Sequence, residues 1–476
     1  MISSSVRVRF APSPTGLMHL GSARLALFNY LFAKHYNGTF ILRIEDTDLE
    51  RNFDPGGAII IEDLGWLNLN YQEGPGVGGP DAPYLQSQRG AIYQEKLTEL
   101  INKNLVYRCF CSVEELEHKR TRQIALKQPP RYDRTCLKRS PVEIEQLMID
   151  NKPFVWRCKV PHETIQIHDL ARGFVSFDLA NFSDFPLTRE DGSFTFLFVN
   201  CVDDILMRIS HVIRGEDHLS NTANQVVLYK ALSFSVPTFW HMPIICNSEG
   251  KKLSKRDFGF SLRDLRNGGY LPEAICNYLA IIGASFEQEI MQLDELAQVI
   301  NFEKMHTTST IKYDLEKLRW VNHQWIVRLP IAELTKQTLP FLHAIYPESA
   351  QIEIATIEKL VASVKDEIHT LKDIEQVLQF YFVAPISTRE KLLEHVPENY
   401  LNDCLRIIHE QIKLLNSPHE FMVQLKYAAQ QHGIPPKIVF MTVRLLLSGT
   451  AHGHGINDMI ELIGTEKATQ RINAVK

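Results

Sequence analysis

Ala11-Pro12-Ser13-Pro14-Thr15-Gly16-Leu17-Met18-His19-Leu20-Gly21-Ser22 stands between an alternating run, Val6-Arg7-Val8-Arg9-Phe10, and a long, largely apolar stretch over residues 23–36. The alternation predicts a strand and the stretch a helix. A glycine-bearing turn between the two lets backbone come close to a nucleotide, and the positive end of the following helix favours its phosphates. A second segment, Lys251-Lys252-Leu253-Ser254-Lys255-Arg256, follows the apolar run 239–246 and Gly250. Ammonium groups on a polar loop suit a triphosphate whose charge shifts as it reacts. Together the segments point to ATP chemistry on an α/β scaffold.

Working outward, 476 residues exceed a single core and imply two to four domains. A hydrophobic share of 45% with 22% charged residues is that of a globular protein rather than a disordered one. The net charge of −5 offers no bulk attraction for nucleic acid, so any RNA-binding surface must be a local basic patch. No run approaches the roughly 20 apolar residues that span a membrane, and the start lacks a signal-peptide pattern. Eight cysteines, scattered apart from one group, fit a reducing cytoplasm better than a disulfide framework.

Strand and helix patterns alternate over 6–10, 23–36, 39–44, 58–64 and 89–104, the beginning of a parallel sheet. From about 107 to 187 short strands (154–160, 174–178) surround a charged helix near 113–127, which reads as an insertion. The α/β pattern resumes over 194–202, 211–213, 222–232 and 239–246. Helical segments near 271–282 and 293–299 follow. From about 326 onward the pattern is helix after helix, including 352–372, 398–415, 419–432 and 436–447.

The two opening segments resemble the HIGH and KMSKS signatures of class I aminoacyl-tRNA synthetases, here His19-Leu20-Gly21-Ser22 and Lys252-Leu253-Ser254-Lys255-Arg256. Arg9 through Gly16, Arg43-Ile44-Glu45-Asp46-Thr47-Asp48, Pro130-Arg131-Tyr132-Asp133, His211-Val212-Ile213-Arg214-Gly215-Glu216-Asp217-His218 and Asp314-Leu315-Glu316-Lys317-Leu318-Arg319-Trp320 are similar to bacterial glutamyl-tRNA synthetase. The similarity is dense from residue 6 to about 326 and looser beyond. It implies a multidomain fold. A Rossmann-like α/β catalytic domain is split over 1–106 and 188–265, and an α+β insertion at 107–187 holds the acceptor stem. A helical connecting domain at 266–326 contacts the stem, and an all-α region at 327–476 binds the anticodon. The implied activity is glutamate–tRNA ligation in the cytoplasm by a monomer. ATP with Mg²⁺ turns L-glutamate into glutamyl-adenylate, and the acyl group moves to the 3′ end of tRNA-Glu, with tRNA-Gln open as a second acceptor.

In such a reaction the amino acid is itself the nucleophile, so the protein must orient reactants and stabilise charge rather than supply a covalent group. The expected ATP-binding residues are His19, Gly21, Lys252, Ser254 and Lys255, with His19, Lys252 and Lys255 catalytic. Each segment alone also reads as a turn histidine or a solvated lysine loop; their order, each beside a strand end, favours function. Mg²⁺ on the phosphates needs few protein ligands. A dicarboxylate substrate demands a cation for each carboxylate and an acceptor for its ammonium. The resemblance maps Arg9, Ala11, Ser13, Glu45, Phe196, Asn200 and Arg214 onto the glutamate pocket. Arg9 and Arg214 contact its carboxyl groups, and Glu45 offers charge to its amine. Without the other motifs, residues 43–48 read as a strand end with exposed ion pairs. Phe196 departs from the family's usual tyrosine, which removes a hydrogen-bonding phenol but keeps the aromatic wall. Weaker glutamate affinity is expected. Ser22 closes the first signature with a residue common there.

Cys109, Cys111 and Cys136 suggest zinc, which needs a fourth ligand for a closed tetrahedral site. Some family members place a histidine two residues after the third cysteine, where this chain has Lys138. A shorter relative that modifies queuosine-tRNA uses a tyrosine four residues before it, matching Tyr132. Two readings stay open: a zinc site of Cys109, Cys111, Tyr132 and Cys136, or three free thiols. Asp203-Asp204 reads either as a metal-binding acid pair or as support within the family's strand-to-loop segment. His218, His241, His306 and the 452–454 run show no convincing partners. The family's arginine that discriminates anticodons aligns with Glu367, a reversed charge. Rival functions are a specialised paralog charging tRNA-Gln, a non-catalytic tRNA-binding paralog, a queuosine-tRNA modifier, a glutaminyl-tRNA synthetase and a small-molecule nucleotidyltransferase. The long helical tail counts against the last three; retention of His19 and Lys255 counts against a non-catalytic paralog.

Overall fold

Both faces of the first strand are covered, as the strands of a parallel sheet flanked by helices require. In β1 (Arg7–Phe10) not only Val8 and Phe10 but also Arg9 is buried. Helix α1 (Leu20–His35) follows, and β2 (Thr39–Leu42) returns parallel to β1 with Arg9 opposite Ile41. The return is tight: a Cβ on Gly38 would stand 2.3 Å from the Val6 carbonyl oxygen, so only glycine fits. These coordinates are a computed structural model that describes residues 5–48, 52–254, 257–284, 286–302, 310–413 and 417–475. Two compact units emerge, one of Met1–Leu265 with Ile275–Leu315, the other of Arg266–Ala274 with Glu316–Lys476.

The first unit continues with α2 (Ala58–Trp66) and α3 (Gly90–Asn102) before leaving the sheet at β3 (Val106–Cys109). Helices α4 (Val113–Ala125) and α5 (Pro141–Ile149) lead to β4 (Val155–Cys158), antiparallel to β3. Each of the two helices is opened by a serine capping box, with Ser112–Glu115 and Ser140–Glu143 satisfying the end amides. A hairpin of β5 (Thr164–Asp169) and β6 (Gly173–Asp178) comes next, then β7 (Phe185–Pro186) beside β4. The chain re-enters through α6 (Phe196–Leu206), β8 (His211–Gly215), α7 (Leu219–Ala231) and β9 (Thr238–Met242). Strands β8 and β9 are parallel, and β5 extends the sheet on the other side of β9. Strand β8 lies beside β1, with the Ser210 amide donating to the Arg7 carbonyl at 3.0 Å. A short pair, β10 (Ile245–Cys246) with β11 (Ile311–Lys312), completes this unit's strands among the described residues.

The second unit is helical, with segments Ile331–Ile345, Ile354–Val364, Glu398–Ile412, Pro418–Gln431, Pro436–Ser448, Ile456–Ile463 and Thr465–Asn473. Leu401, Ile408, Leu425, Val443, Leu446 and Ile460 form its dry interior. No helix of the described residues is long and apolar enough to cross a membrane.

Four local readings need correction. The first helix begins at Leu20 rather than 23, because His19 caps it, so Gly21 lies inside the first helical turn. The segment holding Asp203 and Asp204 is the interior of a helix, α6, not a strand-to-loop segment. The run 239–246 is interrupted between β9 and β10, where Pro243 removes a ladder donor. The helix expected over 352–372 stops at Val364.

Asp203 and Asp204, 0% and 1% exposed, are the counter-charges of a buried arginine cluster. Asp204 Oδ1 accepts from Arg9 Nε at 3.0 Å and from Arg43 at 2.7 Å. Asp203 accepts from Arg89 Nε at 2.7 Å, Gln86 at 2.8 Å and the Tyr93 hydroxyl at 2.9 Å, and lies 3.6 Å from Arg43 Nε. Burial would raise the Asp204 carboxyl, but Arg9 and Arg43 outweigh it and hold it below the usual range. Burial likewise works against charge on Arg43, and Asp204, Glu45 and Asp203 reverse the sign. The pair is a structural clamp whose partners, three arginines with Gln86 and Tyr93, all come from the chain itself. Asp203→Ala leaves the buried Arg89 without its carboxylate and is expected to remove about 3–5 kcal/mol of stability, read by urea unfolding.

Candidate active site

His19 sits at the N-cap of α1, and its ring closes back on the helix. Nδ1 accepts from the Ser22 amide at 3.1 Å, and Nε2 lies 3.1 Å from the Ser22 hydroxyl. An accepting Nδ1 leaves the neutral ring its proton on Nε2, directed at that hydroxyl. Burial, and secondarily the charge of Lys252, pushes the imidazole below its ordinary range, with Asp217 opposing. Gly21 makes room for this ring: a Cβ there would stand 3.1 Å from two of its atoms. The Phe260 ring stacks on the imidazole at 5.2 Å between centroids. Beside His19 a cavity of about 160 Å³ is bounded by Gly21, Gly215, Asp217, Lys252 and Leu253. Lys252 is exposed, with its ammonium 3.3 Å from Asp217 Oδ2, and it bridges back to Cys246. Ser254 is tied through its amide and hydroxyl to Asp257 Oδ2 at 2.8 and 2.9 Å. Lys255, with Arg256, lies outside the described residues.

A second group gathers at the ends of β1 and β8. Arg9 is anchored through Nε on Asp204 and through one terminal nitrogen on the Ile213 carbonyl at 3.4 Å. Glu45 Oε1 accepts from Arg43 at 3.0 Å and from Asn200 Nδ2 at 2.5 Å, and Asn200 Oδ1 in turn accepts from Gln225 at 2.9 Å. Both contacts fall on one oxygen of Glu45, whose carboxyl is raised by burial against the lowering effect of Arg43 and Arg9. Arg214, 7% exposed, donates to Thr222 Oγ1 at 2.6 Å, to His241 Nε2 at 3.3 Å and to the His218 carbonyl at 3.4 Å. No carboxylate among the described residues pairs with it. Burial, with Arg9 adding, lowers it to about 10. Phe196 opens α6 and lies 5.9 Å from the His218 ring. Ala11 is half-buried and Ser13 exposed, next to the Pro12 carbonyl that accepts from the Glu45 amide at 3.0 Å. Arg9, Glu45, Phe196, Asn200 and Arg214 are thus brought to one place.

Comparison with known proteins decides what this place belongs to. Residues 5–320 match the family model described as tRNA synthetases class I (E and Q), catalytic domain, and residues 333–476 the one described as anticodon binding domain. A glutamate–tRNA ligase of Sulfurihydrogenibium sp. is 39% identical over 98% of both chains. That of Moorella thermoacetica is 38% identical over 99% of this chain and 98% of its own. The crystal structure of a glutamate tRNA ligase from Elizabethkingia meningosepticum, in complex with its amino acid, superposes with a TM-score of 0.89 at 33% identity, covering 99% of each chain. The chain belongs to the glutamate–tRNA ligases, class I aminoacyl-tRNA synthetases.

The His19 turn lies between β1 and α1, and the Lys252 segment lies beside β10 through the Cys246–Lys252 bridge. Three of the histidines read as lacking partners have them, His218 with Nδ1 3.3 Å from Asn221 Nδ2. His241 has partners after all, Asp169, Thr222 and Arg214, and His454 pairs through Nδ1 with Glu367 Oε1 at 2.9 Å. Glu367 is therefore no isolated anion. His306 lies outside the described residues.

The cysteine group closes on itself. The sulfurs of Cys109, Cys111 and Cys136 all lie within 4.8 Å of one another, Cys111 and Cys136 at 3.6 Å. The Tyr132 hydroxyl is 3.3 Å from Cys109 Sγ and 3.8 Å from Cys111 Sγ, and accepts from the Cys136 amide at 3.1 Å. A hydrogen bond from Cys109, then those of Tyr132 and the Phe110 amide, draws the Cys136 thiol well down toward thiolate.

The phenyl ring of Phe196 has no polar atom with which to bond a ligand. Phe196→Tyr restores one hydrogen bond and is expected to lower the KM for glutamate about three- to tenfold, with the KM for ATP unchanged. An unchanged glutamate KM in steady-state aminoacylation contradicts it.

Proposed function

We propose that the protein activates L-glutamate with ATP and charges tRNA-Glu, and that the two clusters above divide this work. The observation that carries the substrate assignment is Arg214, a buried guanidinium that pairs with no carboxylate among the described residues and stands near enough to Arg9 and Glu45 to feel their charge. A second carboxylate, brought by the substrate, supplies what the fold omits. Arg9 meets the other carboxyl group, and the oxygen of Glu45 not engaged by Arg43 and Asn200 receives the ammonium. Ala11, Ser13, Asn200 and Phe196 complete the pocket.

The carboxylate then attacks the α-phosphorus, the bond to the bridging oxygen breaks, and pyrophosphate leaves with glutamyl-adenylate remaining. A hydroxyl of the terminal ribose of tRNA next attacks the acyl carbon, releasing AMP. His19, neutral and with its proton on Nε2, donates to phosphate oxygen in place of the Ser22 hydroxyl. Gly21 keeps the ring seated, while Lys252, Ser254 and Lys255 follow the departing charge. Mg²⁺ carried by the triphosphate supplies further positive charge. Asp203 and Asp204 are taken by arginines and are not its ligands. Residues 107–187 hold the acceptor stem and 266–326 contact the stem. The helical segment 327–476 reads the anticodon, whose unstacked bases are recognised by stacking and edge hydrogen bonds. We place the reaction in the cytoplasm and the enzyme as a monomer.

Charging of radiolabelled glutamate tests this reading. tRNA-Glu is expected to be charged, and Arg214→Gln to cut kcat/KM for glutamate about 10²-fold by loss of a charge-assisted pair. Lys255→Ala is expected to slow adenylate formation by about 10²–10³. Charging of tRNA-Gln as well would assign relaxed anticodon reading to Glu367 and its neighbourhood. Charging of tRNA-Gln alone would make the protein a specialised paralog, and charging of neither would overturn the reading.

The cysteine group fits zinc. Tetrahedral Zn–S bonds of about 2.3 Å put two sulfurs about 3.8 Å apart, close to the 3.6 Å between Cys111 and Cys136. Cys109 and the Tyr132 phenol complete four donors. Bound there, zinc would staple the loop after β3 to the turn at Cys136. Elemental analysis of purified protein is expected to find stoichiometric zinc that Cys136→Ser abolishes; metal-free protein of full stability means three free thiols.

A further inference from the structure

Arg214 is held by a row of side chains that runs across three strands. The register of β8 on β9 sets Arg214 opposite His241, and that of β5 on β9 sets Asp169 opposite Phe239. Asp169 and His241 are completely buried. Oδ1 of Asp169 accepts the backbone amides of Ala171 and Arg172, both at 2.9 Å. Oδ2 accepts the backbone amide of His241 at 3.1 Å and its ring Nδ1 at 2.7 Å. A carboxylate on Nδ1 fixes the neutral ring with its single proton there, which leaves Nε2 a bare acceptor. That is the group Arg214 requires, because a guanidinium has only donors to give. Its Nε donates to Nε2 at 3.3 Å, and Thr222 Oγ1, 2.9 Å from the same Nε2, accepts a terminal nitrogen of Arg214 at 2.6 Å.

A carboxylate in direct contact would also anchor Arg214, but it would cancel the charge the substrate must meet. A neutral imidazole holds the guanidinium by an edge and keeps the anion one ring away. The opposite tautomer would turn an N–H against an N–H.

We propose that Asp169 and His241 are positioning residues for Arg214: Asp169 sets the tautomer of His241, and Nε2 of His241 fixes the guanidinium edge so that its remaining donors face the substrate carboxylate. Neither touches substrate, and the inference rests on the reading of Arg214 as a glutamate ligand.

The test uses full-length enzyme in steady-state aminoacylation. Asp169→Asn turns an amide donor toward Nδ1, inverts the tautomer and is expected to raise the KM for glutamate about tenfold or more, with the KM for ATP within about twofold. His241→Phe keeps the ring and loses the acceptor, with the same result. His241→Gln places an amide oxygen near the site of Nε2 and is expected to recover most of the affinity. Added to Arg214→Gln, Asp169→Asn is expected to raise the glutamate KM no further, since both act through one guanidinium. An unchanged glutamate KM in Asp169→Asn, parallel rises for glutamate and ATP, or additive losses in the double variant would each overturn the proposal. If Asp169→Asn does not fold, equal glutamate KM values for His241→Phe and His241→Gln overturn it instead. Should Arg214→Gln itself leave the glutamate KM unchanged, the substrate reading fails; if it raises that KM while Asp169→Asn does not, only the relay fails.

Discussion

Among the buried guanidinium groups of the α/β unit, three are held by two adjacent carboxylates on one helix. Arg9, Arg43 and Arg89 come from three separate segments, and Asp203 and Asp204 from successive positions of α6. Each ion moved from water loses several kcal/mol of solvation, which only well-placed partners offset. Neither the strand ends nor α6 can therefore shift without separating charges in a medium of low dielectric. Arg9 and Glu45 receive their orientation from this clamp, since Arg9 is fixed through Asp204 and Glu45 through Arg43.

Against that background the treatment of Arg214 is a deliberate contrast. Its neighbours on the sheet are matched ion for ion, whereas it is given a hydroxyl, an imidazole nitrogen and a carbonyl. The fold thus holds this cation in place at a loss of solvation that no carboxylate among the described residues repays, and Arg24, held on the carbonyl oxygens of Leu279 and Ile282, is treated the same way. On the proposed reading, a ligand lacking a second carboxylate leaves that loss at Arg214 standing, so discrimination against uncharged side chains would follow from what the pocket omits. Sites built to complete a buried polar group reject analogues more strongly than apolar pockets do.

Legibility in the sequence followed the distance over which each feature is determined. The strand–turn–helix at residues 6–36, the charged helix near 113–127 and the amphipathic helices after 326 are set by neighbours within a few positions, and their patterns are readable; α5, though opened by the same kind of capping box, is not among the elements read from the sequence. The start of α1 was misplaced because a histidine, not one of the usual capping residues, supplies the cap. Asp203 and Asp204 carried no local sign of their purpose, since Arg43 lies 161 positions away from Asp204. His241 passed for an isolated histidine for the same reason: Asp169 stands 72 positions earlier, and the register that aligns His241 with Arg214 is fixed by sheet pairing alone. Glu367 reads as a reversed charge, and only the fold brings His454 to it. The cysteines were the exception, a long-range site visible because thiols at short spacing are rare enough to stand out.

The segment between β3 and β7 is more than an appendage to the catalytic sheet. Its far part has an interior of its own, where Tyr107, Phe110, Cys109 and Cys136 pack with Leu137, Ile144 and Leu147, so the cysteine group stabilises a region that borrows little from the sheet. Its hairpin does the reverse. Strand β5 pairs with β9, and Ile165 and Ile167 join the same core as Phe198, Val212 and Phe239. Asp169 ends that strand. An element inserted between the two halves of the α/β pattern thus supplies both an edge of the sheet and the buried anion behind His241. Any strain that moves β5 along β9 therefore acts first on the ring that holds Arg214.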